Sequence, residues 1–307
     1  MNGLAGALEG CRIVEFGLNL PGPMLTQRLA RYGAATRKIE PPAGDPTARM
    51  FKDDKGIPVL YRMLNGEKDV ERLDLKSAAG KERALRYIAE ADVLVESSTP
   101  GVMDALGVGY EACRRVNPSL IYCSITGHGD AALPGHDINF LAAAGYGPAM
   151  GYGERGSLVA FPVGDIAGGV LAAESAILAA LLKRHAVGAG QRIRIDIVAQ
   201  LRRLDVMGAA SRAAPARRGD DFLKGIYPCY RVYRCKDRSL LAVGALERKF
   251  WGRFCELIQC EALRDRQFEG SDEGDAHSLV EQALLARRAA EWEEASLSAP
   301  CCLTAVG

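Results

Sequence analysis

Short strand-like runs alternate with helix-like segments along roughly the first two hundred residues of the chain. The runs Cys11–Phe16 (CRIVEF), Ala35–Glu40 (ATRKIE), Asp92–Glu96 (DVLVE) and Leu120–Ile125 (LIYCSI) are predicted as strands. Between the first two, Pro21–Gly33 predicts a helix, because a Pro-Gly-Pro turn opens it and a glycine ends it. Strands that alternate with helices in this way predict a Rossmann-like parallel sheet covered by helices.

The segment Gly168–His185 is the strongest helix prediction, since it is rich in Ala and Leu and ends in three basic residues. Gly188 and Gly190 are predicted to stop it. The next segment, Gln191–Ala199, alternates isoleucine with charged residues from Ile193 onward, which predicts a strand with one solvated face.

The hydrophobic periodicity is lost over Leu201–Lys224, where Arg, Ala, Gly and Pro accumulate, and this composition predicts a linker. A second unit follows, with two strand-like runs in Tyr227–Val243 and a helix over Glu247–Ile258 that turns Trp251 and Phe254 inward. The predicted organisation is a large Rossmann-like domain at 1–200, a linker at 201–224 and a smaller α/β domain at 225–307.

Composition narrows the class of protein without defining a function. The 307 residues carry 39 Lys and Arg against 38 Asp and Glu, a net charge of +1 that offers no global field for nucleic acid or an anionic membrane. Nine scattered cysteines without a C-x-x-C pair indicate reduced thiols. Neither a signal segment nor an uninterrupted apolar run of membrane-spanning length is apparent, so a cytoplasmic protein is expected.

Most common chemical signatures are absent from the sequence, including the Walker loop, H-E-x-x-H and the G-x-S-x-G elbow. The spacing of Gly145, Gly147 and Gly151 is superficially like a dinucleotide loop, but it follows a helix-like run rather than a strand. A nicotinamide enzyme is therefore not expected.

The stretch LPGHDINFLAAAG, Leu133–Gly145, places His136 and Asp137 between a Pro-Gly turn and a helix-like run. The turn could aim His136 into a cleft, whereas a satisfied surface histidine is the commoner outcome for an isolated one. Asp137 could cap the following helix, because a carboxylate accepts the free backbone N–H groups of a first turn.

Two further carboxylates stand where strands give way to helices. Asp165, in FPVGDIAGG, lies beside glycines that could allow a bound molecule to approach closely, although a helix cap would also account for it. Glu247, in VGALERKFW, lies at a predicted helix start, where glutamate is ordinary.

Together these motifs resemble CoA-transferase family III (CaiB/BaiF), and within it the alpha-methylacyl-CoA racemases. The resemblance runs from about Leu8 to the last residue and includes LEGCRIVEFGLNLPGP, the GDP of Gly44–Pro46, LDLKSAAG and NPSLIYCSITGHG in the family's order. GHDINF and GALE are similar to two motifs of the racemases. The implied fold is a Rossmann-like large domain with a parallel sheet, plus a smaller α/β domain, in an interlocked homodimer.

The resemblance implies an acyl-CoA racemase or epimerase that inverts the alpha carbon of a 2-methyl-branched thioester. His136 and Asp165 would lie on opposite sides of that carbon, each acting as base for one enantiomer and as acid for its mirror image. Asp137 and Glu247 would be supporting acids, with Glu247 reaching the partner's site. The CoA thioester is the substrate, and neither a metal nor an organic cofactor is expected.

The resemblance also implies where CoA binds. Lys38, at the end of the second predicted strand, would meet a phosphate. Gly135 and Gly168, beside the two candidate bases, would let the thioester approach.

The chain departs from the family pattern at several positions. Thr99 replaces the arginine of R-P-G, the loop from Thr126 to His136 is shorter, and Ala167 stands where the family has glycine. Family members continue for some tens of residues past CCLTAV, so a C-terminal return segment is expected to be missing. Two other functions stay open: CoA transfer between carboxylic acids through an Asp165 acyl anhydride and aspartyl-CoA thioester, and an inactive CoA-binding homologue.

Overall fold

The computed structural model describes residues 3–146, 161–213, 225–270 and 273–306. The chain forms two compact units, Met1–Leu204 and Asp205–Gly307. The boundary falls inside the predicted linker, whose first part is helical on both sides of it. The rest of that linker, 214–224, lies outside the described residues.

The first unit is built on a six-stranded parallel sheet in the order β3-β2-β1-β4-β5-β6. Its central strands are buried on both faces, as parallel strands covered by helices should be. Val93–Glu96, for example, is buried at all four positions. The strands are β1 (Arg12–Glu15), β2 (Ala35–Glu40), β3 (Asp69–Arg72), β4 (Val93–Glu96), β5 (Ile121–Thr126) and β6 (Gln191–Asp196).

Helices cover both faces of this sheet. Alternate residues of β5 separate the two cores: Ile121 and Ile125 pack with Leu25 of one helix layer, whereas Tyr122 packs with Ile88 of the other. The helices are α1 (Pro21–Arg31), α2 (Val59–Asn65), α3 (Ala78–Ala89), α4 (Val102–Ala105), α5 (Tyr110–Val116), α6 (Asp137–Ala144), α7 (Ala172–Val187) and α8 (Ile197–Leu204).

The strand order reverses direction between β1 and β4, and this point determines where a ligand can bind. In an open parallel sheet the loops after such neighbouring strands diverge to opposite faces and leave a crevice at the carboxyl edge. Here the loops that follow β1 and β4 contain Leu18, Asn19, Ser97 and Ser98. All four residues line one large cavity, described below.

The predicted strands β1, β2, β4 and β5 and the predicted helix α1 were confirmed, whereas helices α2 to α5 were not predicted. Three further differences concern β3, β6 and α7. The edge strand β3 was missed, since its sequence DVER is charged and largely exposed. The strand predicted over Gln191–Ala199 ends at Asp196, because the Asp196 carboxylate accepts the Ala199 N–H at 3.0 Å and starts α8. The helix predicted from Gly168 begins earlier, in a π-helical segment at Gly164–Leu171 that continues into α7.

The segment Gly164–Val187 is long and apolar enough to cross a membrane, judged by length and composition alone. No segment of this kind was predicted from the sequence. In the structure this helix packs on the sheet through Val170 and Ile177. Its Glu174 pairs with Arg28 of α1 at 2.7 Å. These contacts are typical of a core helix.

The second unit joins a three-stranded antiparallel sheet, in the order β7-β8-β9, to a helical layer. Its core centres on Trp251, Phe254 and Trp292. The elements are α9 (Val206–Ala213), β7 (Tyr230–Arg234), β8 (Leu240–Gly244), α10 (Arg248–Leu257), α11 (Ala276–Leu284), α12 (Ala289–Ser296) and β9 (Leu303–Val306). All nine cysteines are unpaired in the structure.

Candidate active site

A cavity of about 1000 Å³ opens at the switch point of the first unit. Its lining comes from the loops after β1, β4 and β5, from one side of α1 and α2, and from the start of the π-helical segment. Both central candidates, His136 and Asp165, line it. The sequence placed these two residues 29 positions apart, and the fold brings them to one cavity.

His136 is the N-cap residue of α6 and is exposed at the cavity wall. Its backbone N–H donates to Asn139 Oδ1 at 3.1 Å, which fixes the entry to the helix. The preceding turn packs on Phe140: a Cβ on Gly135 would lie 2.7 Å from the Phe140 ring. Gly135 therefore both lines the cavity and permits the packing that positions His136.

Asp165 lies in the first turn of the π-helical segment, half-buried at the cavity. Burial raises the pKa of its carboxyl, and the nearby negative charge of Asp137 raises it further, to about 7. A carboxyl with this pKa exchanges protons readily near neutral pH. π-Helical turns are rare and often occur at functional sites.

Asp137 has a different structural role from the predicted one. It is the first residue of α6 rather than its cap, and its Oδ1 accepts the backbone N–H of Asp165 at 2.7 Å. Gly164 makes room for this contact, since a Cβ there would lie 3.0 Å from the same oxygen. Asp137 thus fixes the backbone that carries Asp165 and also adds charge beside it.

Gly168 does not face the cavity in the way the resemblance implied. A Cβ at this position would lie 2.8 Å from the backbone oxygen of Ile197. The missing side chain therefore lets the π-helical segment approach α8. Its requirement for glycine follows from helix packing and not from ligand approach.

Lys38 is fully buried, which corrects the expectation that it meets a phosphate of CoA. Its Nζ donates to Asp45 Oδ2 at 2.6 Å and to Asn65 Oδ1 at 3.1 Å. Burial acts to raise the pKa of Asp45, but the hydrogen bonds from Lys38 and Thr47 outweigh it and hold that pKa below its ordinary value. The Lys38 ammonium therefore binds internal partners rather than a ligand.

The same network also makes hydrogen bonds to residues that line the cavity. Asp45 Oδ1 accepts the backbone N–H of Thr47 at 2.9 Å and that of Asn19 at 3.4 Å. Asn19 has a left-handed φ of 62°, and both Asn19 and Thr47 line the cavity. Lys38 therefore acts on the site through Asp45.

Replacing Lys38 by methionine should lower the free energy of unfolding by about 3 to 5 kcal/mol, because Asp45 would remain buried without its cation. Urea denaturation at pH 7 measures this. The double variant K38M/D45N should recover part of the loss, since it removes the unpaired charge. Unchanged stability of K38M would contradict this account of Lys38.

Glu247 lies in the second unit, exposed at the N-cap of α10. The predicted helix start at this residue is confirmed, whereas the structure does not test its expected catalytic role. The glycine-spaced loop that was set aside as a nicotinamide motif extends through Gly147 and Gly151, which lie outside the described residues.

Several cavity residues were not recognised from the sequence. Asn19, Ser97 and Ser98 follow strand ends at the switch point, so the predicted strand order alone could have drawn attention to them. Arg31 and Met63 carry no such signal, because their exposure to the cavity depends on how α1 and α2 pack. In the part of the chain that the structure describes, no three His, Cys, Asp or Glu side chains cluster as a metal site would require.

A parallel sheet with a cavity at its switch point, lined by a histidine and by a carboxyl of raised pKa, defines the molecule as an α/β protein with a candidate site at the carboxyl edge of the sheet. The chain belongs to CoA-transferase family III, whose family model matches residues 8–307. This family contains both CoA-transferases and racemases.

Two relatives represent these two activities. The probable fatty acyl-CoA transferase Rv3272 of Mycobacterium tuberculosis is 29% identical over 318 residues, covering 94% of this chain and 79% of the relative. Alpha-methylacyl-CoA racemase of Homo sapiens is 33% identical over 253 residues, covering 80% of this chain and 63% of the racemase. This chain thus spans less than two thirds of the racemase's length.

A solved structure has the same fold. The orthorhombic crystal structure of Rv3272 from M. tuberculosis matches with a TM-score of 0.81 at 25% identity, over 99% of this chain and 84% of the other. The predicted α/β fold with a parallel sheet and the resemblance to the family are confirmed.

Proposed function

We propose that this protein is an acyl-CoA racemase or epimerase that inverts the alpha carbon of a 2-methyl-branched acyl-CoA. The observation that carries the proposal is that His136 and Asp165 line one cavity while the pKa of Asp165 is raised to about 7. A histidine together with a carboxyl of raised pKa suits a reaction that must run in both directions.

Inversion requires that one of the two residues acts as a base and the other as an acid. One residue removes the alpha proton, and the electron pair of the broken C–H bond moves into the thioester carbonyl to form an enolate. The conjugate acid of the other residue then donates its proton to the opposite side of the alpha carbon. After each inversion the first residue is protonated and the second is not. The protein is then ready for the reverse reaction, in which the two residues exchange roles.

The developing charge on the enolate oxygen requires hydrogen-bond donors. The first-turn amides of α6 are suited to this, because a helix N-terminus presents N–H groups without intrahelical partners and carries partial positive charge. The step needs no metal or organic cofactor, since the CoA thioester itself acidifies the alpha proton.

The direct test is incorporation of solvent deuterium at the alpha carbon when the protein and a 2-methylacyl-CoA are mixed in D2O. Both washout of the alpha proton and loss of optical purity are expected. A folded protein that binds the thioester yet gives neither result would exclude racemisation.

Proton abstraction by Asp165 should increase with pH through about 7, because only its ionised form is a base and folding raises its pKa to that value. In the variant D137N the midpoint should move to lower pH, since the charge that contributes to the raised pKa is removed. It should stay above the ordinary value for aspartate, because burial is the larger cause. The measurement is the initial washout rate against pH for the enantiomer deprotonated by Asp165.

The control for this prediction is D130N, which removes an exposed carboxylate that pairs with Arg194. Its midpoint should match that of the unaltered protein. An identical midpoint in D137N would contradict the electrostatic coupling between the two aspartates.

CoA transfer is the second candidate, favoured by the relative named as a probable fatty acyl-CoA transferase, which aligns with 94% of this chain. In this reaction the Asp165 carboxylate attacks the thioester carbonyl and expels CoA thiolate, giving a mixed anhydride. The thiolate then attacks the aspartyl carbonyl, releasing the first acid and leaving an aspartyl-CoA thioester for an acceptor acid. Mass spectrometry after mixing with acyl-CoA would detect either adduct, and hydroxylamine would trap it.

The homodimer, the contribution of Glu247 to a partner's site and the cytoplasmic location are further parts of the proposal. The dimer and the role of Glu247 are supported by the resemblance to the racemases, and the cytoplasmic location is supported by the composition of the sequence. Light scattering at micromolar protein tests the dimer, and a monomeric mass accompanied by full activity would exclude a shared site.

A further inference from the structure

One side of α1 faces the cavity along most of its length. Met24, Gln27 and Arg31 line it at spacings of three and four residues, which places them on a single stripe of the helix. The opposite side of α1 is buried through Leu25 and Leu29. The stripe starts at the switch point and runs away from it toward the end of α1.

A matching stripe on α2 faces the same space. Leu60, Met63 and Leu64 line the cavity, again at spacings of three and four residues. Gln27 Nε2 donates to the backbone oxygen of Met63 at 3.0 Å and joins the two helices there. We call the space between these stripes the α1–α2 arm of the cavity.

Arg31 lies at the far end of the α1–α2 arm, exposed in the last turn of α1. It is the only Lys or Arg among the described residues that line the cavity. Within the described residues it makes no ion pair, whereas its neighbour Arg28 is paired with Glu174. A largely apolar channel ends at an arginine that has no ion-pair partner among the described residues. Such a channel suits an acyl chain with an anionic end.

The distance from Asp165 to the end of this arm follows from helix geometry. Glu174 lies nine residues after Asp165 and contacts Arg28, one turn before Arg31. Helix α1 and the helix that carries Asp165 and Glu174 both run from the carboxyl edge of the sheet toward its amino edge. Arg31 therefore lies on the order of 15 Å from Asp165 along the helix direction. Helical side chains lean toward the N-terminus, and the guanidinium therefore reaches back along the arm.

A group of hydroxyl side chains lines the cavity away from this arm. Ser97 and Ser98 follow β4, and Thr126 is the last residue of β5, on the side of the switch point away from α2. The amide groups of the CoA arm need hydrogen-bond partners of this kind. In the α1–α2 arm the Met and Leu side chains offer none, and the Gln27 amide N–H already donates to the Met63 backbone oxygen. The α1–α2 arm is therefore better suited to the acyl chain than to CoA.

We propose that the preferred acyl group carries a second anionic group, a carboxylate at the end of its chain, which Arg31 binds at the end of the α1–α2 arm. This inference rests on the proposed action on acyl-CoA thioesters and adds the class of acyl group. An extended chain covers about 3.5 Å for every three bonds, so a spacer on the order of ten bonds matches the arm.

The test compares mono-CoA thioesters of dicarboxylic acids of increasing length with monocarboxylic thioesters of equal chain length. The readout is kcat/KM for alpha-proton washout in D2O. At the matching length the terminal carboxylate should increase kcat/KM by at least about tenfold, as expected for a charge-assisted hydrogen bond to arginine. The variant R31M should remove this preference while retaining activity on monocarboxylic thioesters.

The matched control is R115M, which removes an exposed arginine from the last turn of α5, away from the cavity lining. It should keep the preference. The proposal is overturned if the unaltered protein shows no preference at any length, or if R31M preserves it. It is also overturned if R31M weakens free CoA and every thioester equally, since Arg31 would then bind a phosphate of CoA.

Calorimetric titration separates a failure of this inference from a failure of the proposed reaction. If no thioester undergoes washout, binding of the same matched pairs to the unaltered protein and to R31M still reports the preference. Washout without any preference would leave the racemase proposal in place and exclude the terminal carboxylate.

Discussion

Replacing Asp165 by asparagine is expected to abolish inversion, with a fall in rate of about 10³-fold or more, because asparagine keeps the shape but cannot carry the proton. The expected pattern is more specific than a loss of activity. The enantiomer whose alpha proton faces His136 should still exchange that proton with D2O and keep its configuration. Its mirror image should show neither exchange nor inversion. Chiral chromatography combined with mass spectrometry resolves the two results.

The variant is expected to fold at least as stably as the unaltered protein at pH 8. Folding raises the pKa of Asp165 to about 7, so its contribution to stability is present below its ordinary pKa and is lost as pH increases through 7. Above that value an ionised, half-buried carboxyl opposes folding, and D165N removes it. The control D196N alters a carboxylate that caps α8 and should leave inversion intact. Continued inversion by D165N would exclude Asp165 as a proton carrier.

Replacing His136 by glutamine is expected to give the mirror image of this result. Inversion should again fall by about 10² to 10⁴-fold, because one of the two proton carriers is gone. Exchange with retention should now persist for the enantiomer whose alpha proton faces Asp165. Each single variant therefore protects a different enantiomer from exchange, a pattern that a nonspecific loss of structure cannot produce.

The control for H136Q is H128Q, since His128 packs edge to face on the same Phe140 ring at 5.4 Å between centroids. That variant should invert both enantiomers at close to the normal rate. The two histidines also separate the two candidate functions. Transfer through Asp165 does not require a base at position 136. Formation of an acyl or CoA adduct in H136Q at the normal rate, together with no inversion by the unaltered protein, would therefore favour CoA transfer.

Local sequence patterns were sufficient for the frame of the first unit. β1, β2, β4 and β5 could be predicted because a strand that is buried on both sides needs a short, bounded run of suitable residues. β3 could not, because DVER is charged and becomes a strand through its pairing with β2 at the sheet edge. The early start of the helix that carries Asp165 also escaped prediction, since the stabilising contact comes from Asp137, 28 residues earlier.

Candidate site residues divide in the same way. His136 and Asp165 were found because their surrounding segments resemble contiguous motifs of the family, and the fold brings both to one cavity. Lys38 and Gly168 were assigned to ligand binding, yet one is enclosed by Asp45 and Asn65 and the other packs on Ile197. A sequence gives the type of each side chain. It does not show which ion-pair partners or packing neighbours surround that side chain in the fold.

The sequence by itself determined the class of fold, the family resemblance and the two central candidate residues, His136 and Asp165, because these depend on short apolar runs and on contiguous motifs. Only the tertiary structure decided that Asp137 supports Asp165, that Lys38 is internal and that Arg31 ends an apolar arm of the cavity. The reason is physical: burial, pairing of charges and the pKa of a carboxyl are set by neighbours in space, and most of those neighbours lie far away along the chain.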